Sequence, residues 1–310
     1  MRYGVPYRGS KNKIAQWVIS NLLAGDTLVD LFAGGCAVTH AALLSGKWNR
    51  IIANDIGDAP QLFMDAVHGK YANEKRWISR EDFHRLKDSD TYVSLCWSFG
   101  NNRRDYLYSK EIEPWKKALH YARVFGDTSL LREFGINSDG SPKDIKTNNE
   151  EYKRLYSQWL GHQVKHKRLY DLDHLARLEN LERLQNLEGL QNLEGLQNLE
   201  GLQNLERLQS DYRDVRIPSN AVVYADPPYK RTNCTGYKCD FDYKAFEKWL
   251  SEVPFMVVVS EYEAPEGCVE VASIKKQSSM GTGNKGGSDV EKLFVQERFA
   301  EQYKQMTGRF

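Results

Sequence analysis

The sequence predicts an α/β fold in which a mostly parallel sheet is covered by helices on both faces. Strand-like and helix-like segments alternate along much of the chain, which is typical of such sheets. Apolar runs of strand length end repeatedly in an acidic residue, and a glycine pair follows the first of them. Ligands of this fold class bind at the carboxyl ends of the strands. These acids and glycines are therefore the first candidates for a binding site.

The predicted elements follow one another in a simple order. The first part of the chain contains a helix at 13–23, a strand at 27–32, a helix at 36–45 and a strand at 50–55. After a long middle section come a strand at 221–225, a helix at 243–251, a strand at 255–260 and closing strands at 268–274 and 291–299.

A lysine motif, Tyr7-Arg-Gly-Ser-Lys11, precedes the first helix. We expect Lys11 to direct its positive charge at a carboxylate and Tyr7 to lie against the ligand. The alternative for Lys11 is a solvated lysine at the start of a helix.

The turn after the first strand reads Asp30-Leu-Phe32-Ala-Gly34-Gly35. Glycines at such a turn let the backbone bend tightly and approach a ligand closely. The second strand ends in Asp55, where a carboxylate can bind a ribose diol. The loop lacks both the GxGxxG spacing and the lysine of a phosphate-binding loop. The sequence therefore predicts a ligand that has a ribose and no phosphate.

A catalytic motif, Asp226-Pro227-Pro228-Tyr229, directly follows the apolar strand at 221–225. An amine on a planar ring is a poor nucleophile, because its lone pair is delocalised into the ring. Asp226 and the Pro227 carbonyl can accept hydrogen bonds from its N–H groups, which makes the lone pair available. Tyr229 can stack on the ring. The prolines fix φ and remove N–H donors, so the turn presents carbonyls. The alternative is an ordinary Pro-Pro turn with Asp226 at the surface.

The leucine repeat at 178–210 contains hexads of the type LQNLEG, so leucine recurs at every third position from Leu175 to Leu208. A step of three turns an α-helix by about 300°, so these leucines never share one helical face. We interpret the repeat as a low-complexity insert without catalytic residues. A leucine-lined interaction module is the alternative.

Composition excludes few function classes. The chain has 310 residues, 41% of them hydrophobic, and a net charge of +1, which does not by itself indicate a nucleic-acid-binding protein. No apolar run reaches the length of a membrane span, and no secretory signal is visible. Five cysteines show no metal-binding pair. We therefore expect a cytoplasmic protein that uses neither a membrane nor a metal.

Taken together, the ordered motifs Y-x-G-S-K, D-L-F-A-G-G, N-D, S-D-Y and D-P-P-Y resemble those of the Dam-like family of adenine-specific DNA methyltransferases. The resemblance covers nearly the whole chain except the insert and the middle segment. It implies a Rossmann-like class I methyltransferase fold, with a mostly parallel seven-stranded sheet, helices on both faces and a smaller inserted recognition lobe. It also implies S-adenosylmethionine as cofactor, double-stranded DNA as partner and a bacterial, phage or mobile-element context.

The resemblance assigns roles residue by residue. The cofactor site that it implies comprises Tyr7, Lys11, Asp30, Phe32, Gly34, Gly35, Asp55, Asp211, Tyr212 and Asp226. The catalytic residues that it implies are Asp226, Pro227, Pro228 and Tyr229. This chain departs from the family at Cys36, where the family's loop has a further glycine.

Two segments are candidates for contact with DNA. Asn101, Asn102, Arg103 and Arg104 are of the types that read purine edges, and the family inserts its recognition domain in this region. The alternative is an Asn-rich turn that closes a hairpin. A basic segment at 152–170, with Lys165, Lys167 and Arg168, lacks acids and is interleaved with aromatic residues that can stack on bases. Its alternative is an amphipathic helix with Leu155 and Trp159 facing a core.

We therefore predict a methyltransferase domain from residues 1–55 and 211–310, a target-recognition lobe at 56–170 and an insert at 171–210. The predicted reaction moves a methyl group from S-adenosylmethionine to N6 of an adenine flipped out of DNA. Three alternatives stay open. They are transfer to another planar amine (cytosine N4, RNA adenine or a protein glutamine), a non-catalytic DNA-binding module, and a leucine-repeat interaction protein.

Overall fold

The computed structural model describes residues 3–136, 154–155, 157–159, 161, 202–230, 241–275 and 290–308. The chain divides into two compact units. One consists of Met1–Ala72 and Asn192–Phe310, and the other, Asn73–Gln191, is inserted between these two parts. The two units divide after residues 72 and 191, whereas the predicted divisions stood at 55, 170 and 210.

The first unit contains a seven-stranded sheet. Its strands are β1 (Thr27–Asp30), β2 (Arg50–Asn54), β3 (Leu205–Leu208), β4 (Ala221–Ala225), β5 (Val257–Glu261), β6 (Cys268–Lys275) and β7 (Val290–Gln296). Their spatial order is β3-β2-β1-β4-β5-β7-β6. The pairs from β3 to β5 are parallel, and β7 is antiparallel to both of its neighbours. The predicted mostly parallel sheet is confirmed, although β7 ends before a short 3₁₀ turn, Glu297–Phe299.

Nine α-helices lie wholly within the described residues. They are α1 (Ala15–Asn21), α2 (Ala37–Ser45), α3 (Ala59–Val67), α4 (Arg80–Leu86), α5 (Thr91–Cys96), α6 (Glu113–Phe125), α7 (Ser129–Glu133), α8 (Tyr243–Glu252) and α9 (Ala300–Thr307). Helices α4 to α7 belong to the inserted unit, and the others belong to the sheet unit.

Helices cover both faces of the sheet, as predicted. Leu28 and Tyr224 of β1 and β4 belong to one core cluster, which also includes residues of α1, α2 and α9. Val29 and Val223, the next residues on the same strands, belong to a second cluster with Phe246 of α8. Successive side chains of a strand point to opposite faces. An apolar run in these strands therefore supplies two cores at once.

The end of the leucine repeat forms the edge strand β3, which pairs in parallel with β2. Leu205 packs against the first core cluster and Leu208 against the second. A spacing of three places consecutive leucines on opposite faces of a strand, so both faces of this strand meet apolar partners. Residues 205–208, within the predicted insert, therefore belong to the sheet. Residues 175–201 of the repeat lie outside the described residues.

Helix α3 accounts for the difference between the predicted division at 55 and the observed one after Ala72. The sequence-based division placed it in the recognition lobe, but it lies in the sheet unit. Its Phe63 is fully buried, and the Phe63 ring centroid lies 5.7 Å from that of His40 in α2. This packing attaches α3 to the sheet unit.

The inserted unit has an aromatic core of its own. Trp77 stacks on Tyr108 with ring centroids 5.7 Å apart, and Trp115 stacks on Trp159 at 5.6 Å. Leu155 and Trp159 are both buried. Leu155 and Trp159 therefore face a core, as the alternative interpretation of segment 152–170 expected. Lys165, Lys167 and Arg168 lie outside the described residues.

Candidate functional site

A cavity of about 420 Å³ opens at the carboxyl ends of β1, β2, β4 and β5, within the sheet unit. It brings together every residue of the predicted cofactor and catalytic sets. These are Tyr7, Lys11, Asp30, Phe32, Gly34, Gly35, Asp55, Asp211, Tyr212, Asp226, Pro227, Pro228 and Tyr229. Parallel strands whose carboxyl ends share one edge explain how motifs distant in sequence meet.

The glycine loop between β1 and α2 lies directly beneath Tyr7. Gly34 has φ +48°, and a Cβ atom there would lie 2.7 Å from Cε1 of Tyr7. A Cβ atom at Gly35 would lie 2.6 Å from the Cβ of Tyr7. Only glycine fits at such approaches. The next residue, Cys36, also has a left-handed φ of 59°, which costs a residue with a side chain about 1–2 kcal/mol. The departure at Cys36 therefore retains the backbone shape that a glycine would adopt.

Asp55 closes β2 and orders the loops around it. Its Oδ2 accepts from the backbone N–H of Gly34 at 2.8 Å, and its Oδ1 accepts from that of Gly57 at 2.7 Å. A carboxylate oxygen has more than one acceptor site, so both oxygens retain capacity for a ligand hydroxyl. Ile56 follows, 72% exposed, and lines the same cavity. The sequence reasoning missed Ile56, and its signal was an apolar residue directly after a strand-ending acid.

Asn54 positions the segment that carries Asp211. Its amide nitrogen donates to the carbonyls of Leu31 and Ser210 at 3.0 and 3.1 Å, and its amide oxygen accepts from the Ser210 N–H at 3.1 Å. Asp211 accepts from the guanidinium of Arg213 through both oxygens at 2.8 Å. This pairing lowers the pKa of Asp211.

Aromatic rings form one wall of the cavity. The ring centroids of Phe32 and Tyr212 lie 5.3 Å apart, and Phe241 contacts both rings. Tyr212 also packs edge-on against Trp249 of α8. The wall is therefore anchored in the second core cluster and suits a flat ligand group.

Asp30 provides a buried negative charge at the end of β1. It is 1% exposed, and its Oδ2 accepts from the Thr39 hydroxyl at 2.8 Å. Within the described part of the chain, its Oδ1 has no hydrogen-bond partner. Burial raises the pKa of Asp30 to about 7. A buried acceptor of this kind, at the wall of a cavity, fits a cationic ligand.

Asp226 stands at the end of β4 and pairs with Lys11. Oδ1 of Asp226 lies 2.7 Å from the Lys11 Nζ, which lies 3.5 Å from Oε1 of Glu291. The Tyr229 hydroxyl donates to Glu291. Burial raises the pKa of Asp226, although the neighbouring ammonium opposes this. Two carboxylates and one ammonium thus share a nearly dry pocket.

The solvated alternative for Lys11 is wrong, because this residue is 5% exposed. Its Nζ lies 4.5 Å from the centroid of the Tyr229 ring, and Tyr262 meets that ring edge-on with centroids 4.7 Å apart. The sequence reasoning missed Glu291, which is fully buried. The sequence did contain a sign of its burial. Glu291 alternates with Leu293 and Val295, and residues two apart in a strand share one face.

The residues predicted to read DNA form a turn in the inserted unit. Ser98 and Tyr106 make an antiparallel bridge. Between them, the amide oxygen of Asn102 accepts from the backbone N–H groups of Arg104 and Asp105 at 2.9 and 3.0 Å. Asn101 donates to the Leu95 carbonyl at 2.9 Å. The alternative, an Asn-rich turn that closes a hairpin, therefore describes the local structure.

The arginines of this turn differ in exposure and conformation. Arg103 has a left-handed φ of 60°, and its backbone N–H donates to Ser98 Oγ at 3.0 Å. The Arg104 side chain is 54% exposed and lies 3.8 Å from Asp105. Contact with DNA by these side chains stays a prediction.

Two further findings concern metals and membranes. Among the described residues, His, Cys, Asp and Glu side chains form no group of three that could hold a metal ion. No helix in the same residues has the length and apolar character that crossing a membrane requires.

Comparison with known proteins identifies one family. Residues 7–168, just over half of the chain, match the family described as D12 class N6 adenine-specific DNA methyltransferase. No curated protein matches the chain. Among solved structures, the rRNA methyltransferase aviRa from Streptomyces viridochromogenes is similar over 93% of this chain and 84% of that chain, with 14% identity and a TM-score of 0.32. A likeness of that degree carries no argument.

Proposed function

This chain belongs to the D12 class of N6 adenine-specific DNA methyltransferases, and we propose that its cavity binds S-adenosylmethionine beside a flipped target adenine. The expected family, and adenine N6 methylation of DNA as the activity, are confirmed. The family implies a methyl donor of the S-adenosylmethionine type. Transfer to other planar amines and the non-catalytic alternatives are not favoured.

The residues around the cavity suit this donor. When bound, S-adenosylmethionine supplies an electrophilic methyl group on a positively charged sulfur. In our proposal Asp55 accepts hydroxyl groups of the ribose, while Phe32, Tyr212 and Ile56 contact the adenine ring. Asp30 is the buried counter-charge for the donor's cationic end, and its Oδ1, which lacks a hydrogen-bond partner among the described residues, supports this role. The glycine loop beneath Tyr7 allows the backbone to approach closely.

The observation that carries the proposal is that Asp226 lines the same cavity as Asp30 and Asp55. Its carboxylate and the Pro227 carbonyl accept hydrogen bonds from the N–H groups of the target amine, which makes the nitrogen lone pair available. Pro228 fixes the turn, and Tyr229 positions the base. The rate then comes mainly from alignment and from polarising the amine in a dry site.

We further propose that the substrate is double-stranded DNA from which adenine is flipped, because the amine is out of reach inside the duplex. The family's DNA substrate and the basic composition of segment 152–170 support this. Arg103, Arg104, Lys165, Lys167 and Arg168 are the proposed contacts to DNA. The amides of Asn101 and Asn102 are engaged within the turn, so we assign them to shaping it while the arginines reach the DNA.

The test is the identity of the methylated nucleoside. Plasmid DNA is incubated with the protein and S-adenosylmethionine, digested and analysed by mass spectrometry. We expect N6-methyladenine with the unmodified protein and none above background with Asp226→Ala, since the amine then loses its main acceptor. Isothermal titration should still show donor binding to Asp226→Ala. Methylated cytosine, or full activity in the variant, would refute the assignment.

A further inference from the structure

The Lys11 ammonium occupies the position that the proposed mechanism gives to the target amine. Its Nζ lies 2.7 Å from Oδ1 of Asp226, the carboxylate that accepts the amine. It also lies 4.5 Å from the centroid of Tyr229, the ring that positions the base. A base that binds both groups therefore competes with Lys11 for them.

Lys11 cannot simply be released without a second counter-charge. The residue is 5% exposed, and a buried ammonium without a carboxylate is strongly unfavourable. Glu291 supplies that second carboxylate. It is fully buried, and its Oε1 lies 3.5 Å from the Lys11 Nζ, so a short movement completes the pairing.

We propose that Lys11 transfers its ion pair from Asp226 to Glu291 when the target adenine enters. Glu291 is then a positioning residue for methyl transfer, because it holds the ammonium away from the carboxylate that the amine needs. The hydrogen bond from the Tyr229 hydroxyl to Glu291 keeps this carboxylate beside the ring throughout. This inference rests on the proposed function. It involves no covalent step and no proton transfer.

The variant Glu291→Gln tests the inference. The amide has nearly the same shape and still accepts from Tyr229, but it carries no charge for Lys11. We expect the affinity for S-adenosylmethionine to stay within about twofold, because the proposed donor contacts lie on other residues. Single-turnover methylation should slow by roughly 10- to 100-fold, because the amine and its acceptor are misaligned. A wild-type rate in a folded Glu291→Gln protein would overturn the inference.

A second background separates positioning from simple structural support. In Lys11→Met no ammonium competes for Asp226, so we expect measurable methylation and no further slowing when Glu291→Gln is added. If Glu291 only supports Tyr229 or the fold, the two backgrounds lose the same factor, and the inference fails. Complete inactivity of Lys11→Met would also count against it, because Lys11 would then do more than occupy Asp226.

Glu270→Gln is the matched control. Glu270 pairs with Lys292 of β7 at 2.8 Å, with both side chains partly exposed, and it lies outside the cavity. We expect unchanged activity there, which shows that loss of a carboxylate from this strand pair is not itself harmful. If Glu291→Gln does not fold, judged by circular dichroism, Glu291→Asp replaces it. Its carboxylate is one methylene shorter and reaches Lys11 less well, so the inference requires slower turnover in that variant. Absence of N6-methyladenine with the unmodified protein would contradict the proposed function instead.

Discussion

At the residue scale, burial makes the charge of Asp30 depend on pH near neutrality. The carboxyl is 1% exposed, and burial raises its pKa to about 7 in the ligand-free site. Below that pH the group is largely protonated and neutral. A cationic donor binds the ionised form, so in our proposal binding releases a proton.

We expect the affinity for S-adenosylmethionine to rise by about tenfold between pH 6 and pH 8, because the ionised fraction of a group with this pKa changes by that factor. Isothermal titration across this range measures it. Asp30→Asn should bind more weakly and flatten the dependence. The ligand-free protein should also lose stability as the pH rises from about 3.8 to about 7, because over that range the folded state retains a proton that the unfolded chain has released. A pH-independent affinity in the unmodified protein would contradict this role of Asp30.

The same scale shows what local sequence conveys. Gly34, Gly35 and Asp55 were predicted from turn chemistry and strand ends, and the structure brings them together because each depends on a few neighbouring residues. Glu291 was not predicted. Its importance depends on Lys11, a residue from the other end of the chain, and nothing in the strand around it indicates that partner.

At the element scale, Asn54 connects the end of β2 to the segment that follows β3. This residue is 1% exposed, and its three hydrogen bonds hold Leu31 and Ser210 beside the strand end. Asp211 follows Ser210 directly. The position of the segment that carries Asp211 and Tyr212 therefore depends on an asparagine to which we assign no role in binding or catalysis.

We expect Asn54→Ala to lower the free energy of unfolding by about 1–3 kcal/mol, since buried backbone groups lose their partners. Donor affinity should fall as well, because Asp211 and Tyr212 are no longer held. Urea denaturation and isothermal titration measure the two effects. Asn220→Ala is the control, because the side-chain amide of this exposed residue donates a long hydrogen bond of 3.3 Å to Asp26. Equal losses in both variants would argue against a specific role for Asn54.

The leucine repeat shows that one spacing can be unsuited to a helix and still suit a strand. Its spacing argues correctly against one helical face, but the same spacing fits a strand with both faces covered, as β3 is. Ser210, which follows this last part of the repeat, donates its backbone N–H to Asn54 and so ties the chain after β3 to the end of β2.

At the scale of the whole molecule, a net charge of +1 gives no general attraction to DNA. Affinity must then come from local cations, and segment 152–170 provides several without an acid. Each phosphate that a cation neutralises releases counterions, which makes binding depend on salt.

We expect replacement of Lys165, Lys167 and Arg168 by alanine to reduce the slope of log affinity against log salt by about 2–3, close to 0.9 for each phosphate that the variant no longer neutralises. Fluorescence anisotropy with a labelled duplex at several salt concentrations measures the slope. Binding of S-adenosylmethionine should not change. An unaltered slope would place the DNA-binding cations elsewhere.

The amino-acid sequence alone was enough to predict the alternation of strands and helices, and the strand-ending acids and the 226–229 tetrapeptide that the cavity brings together, because these depend on spacing within a few residues. Which distant groups meet is settled only in the folded chain. Strand β7 lies between β5 and β6, and this order sets Glu291 beside Lys11 and Tyr229. Such pairings follow from the order of strands in the sheet, to which the whole core contributes and which no single segment encodes.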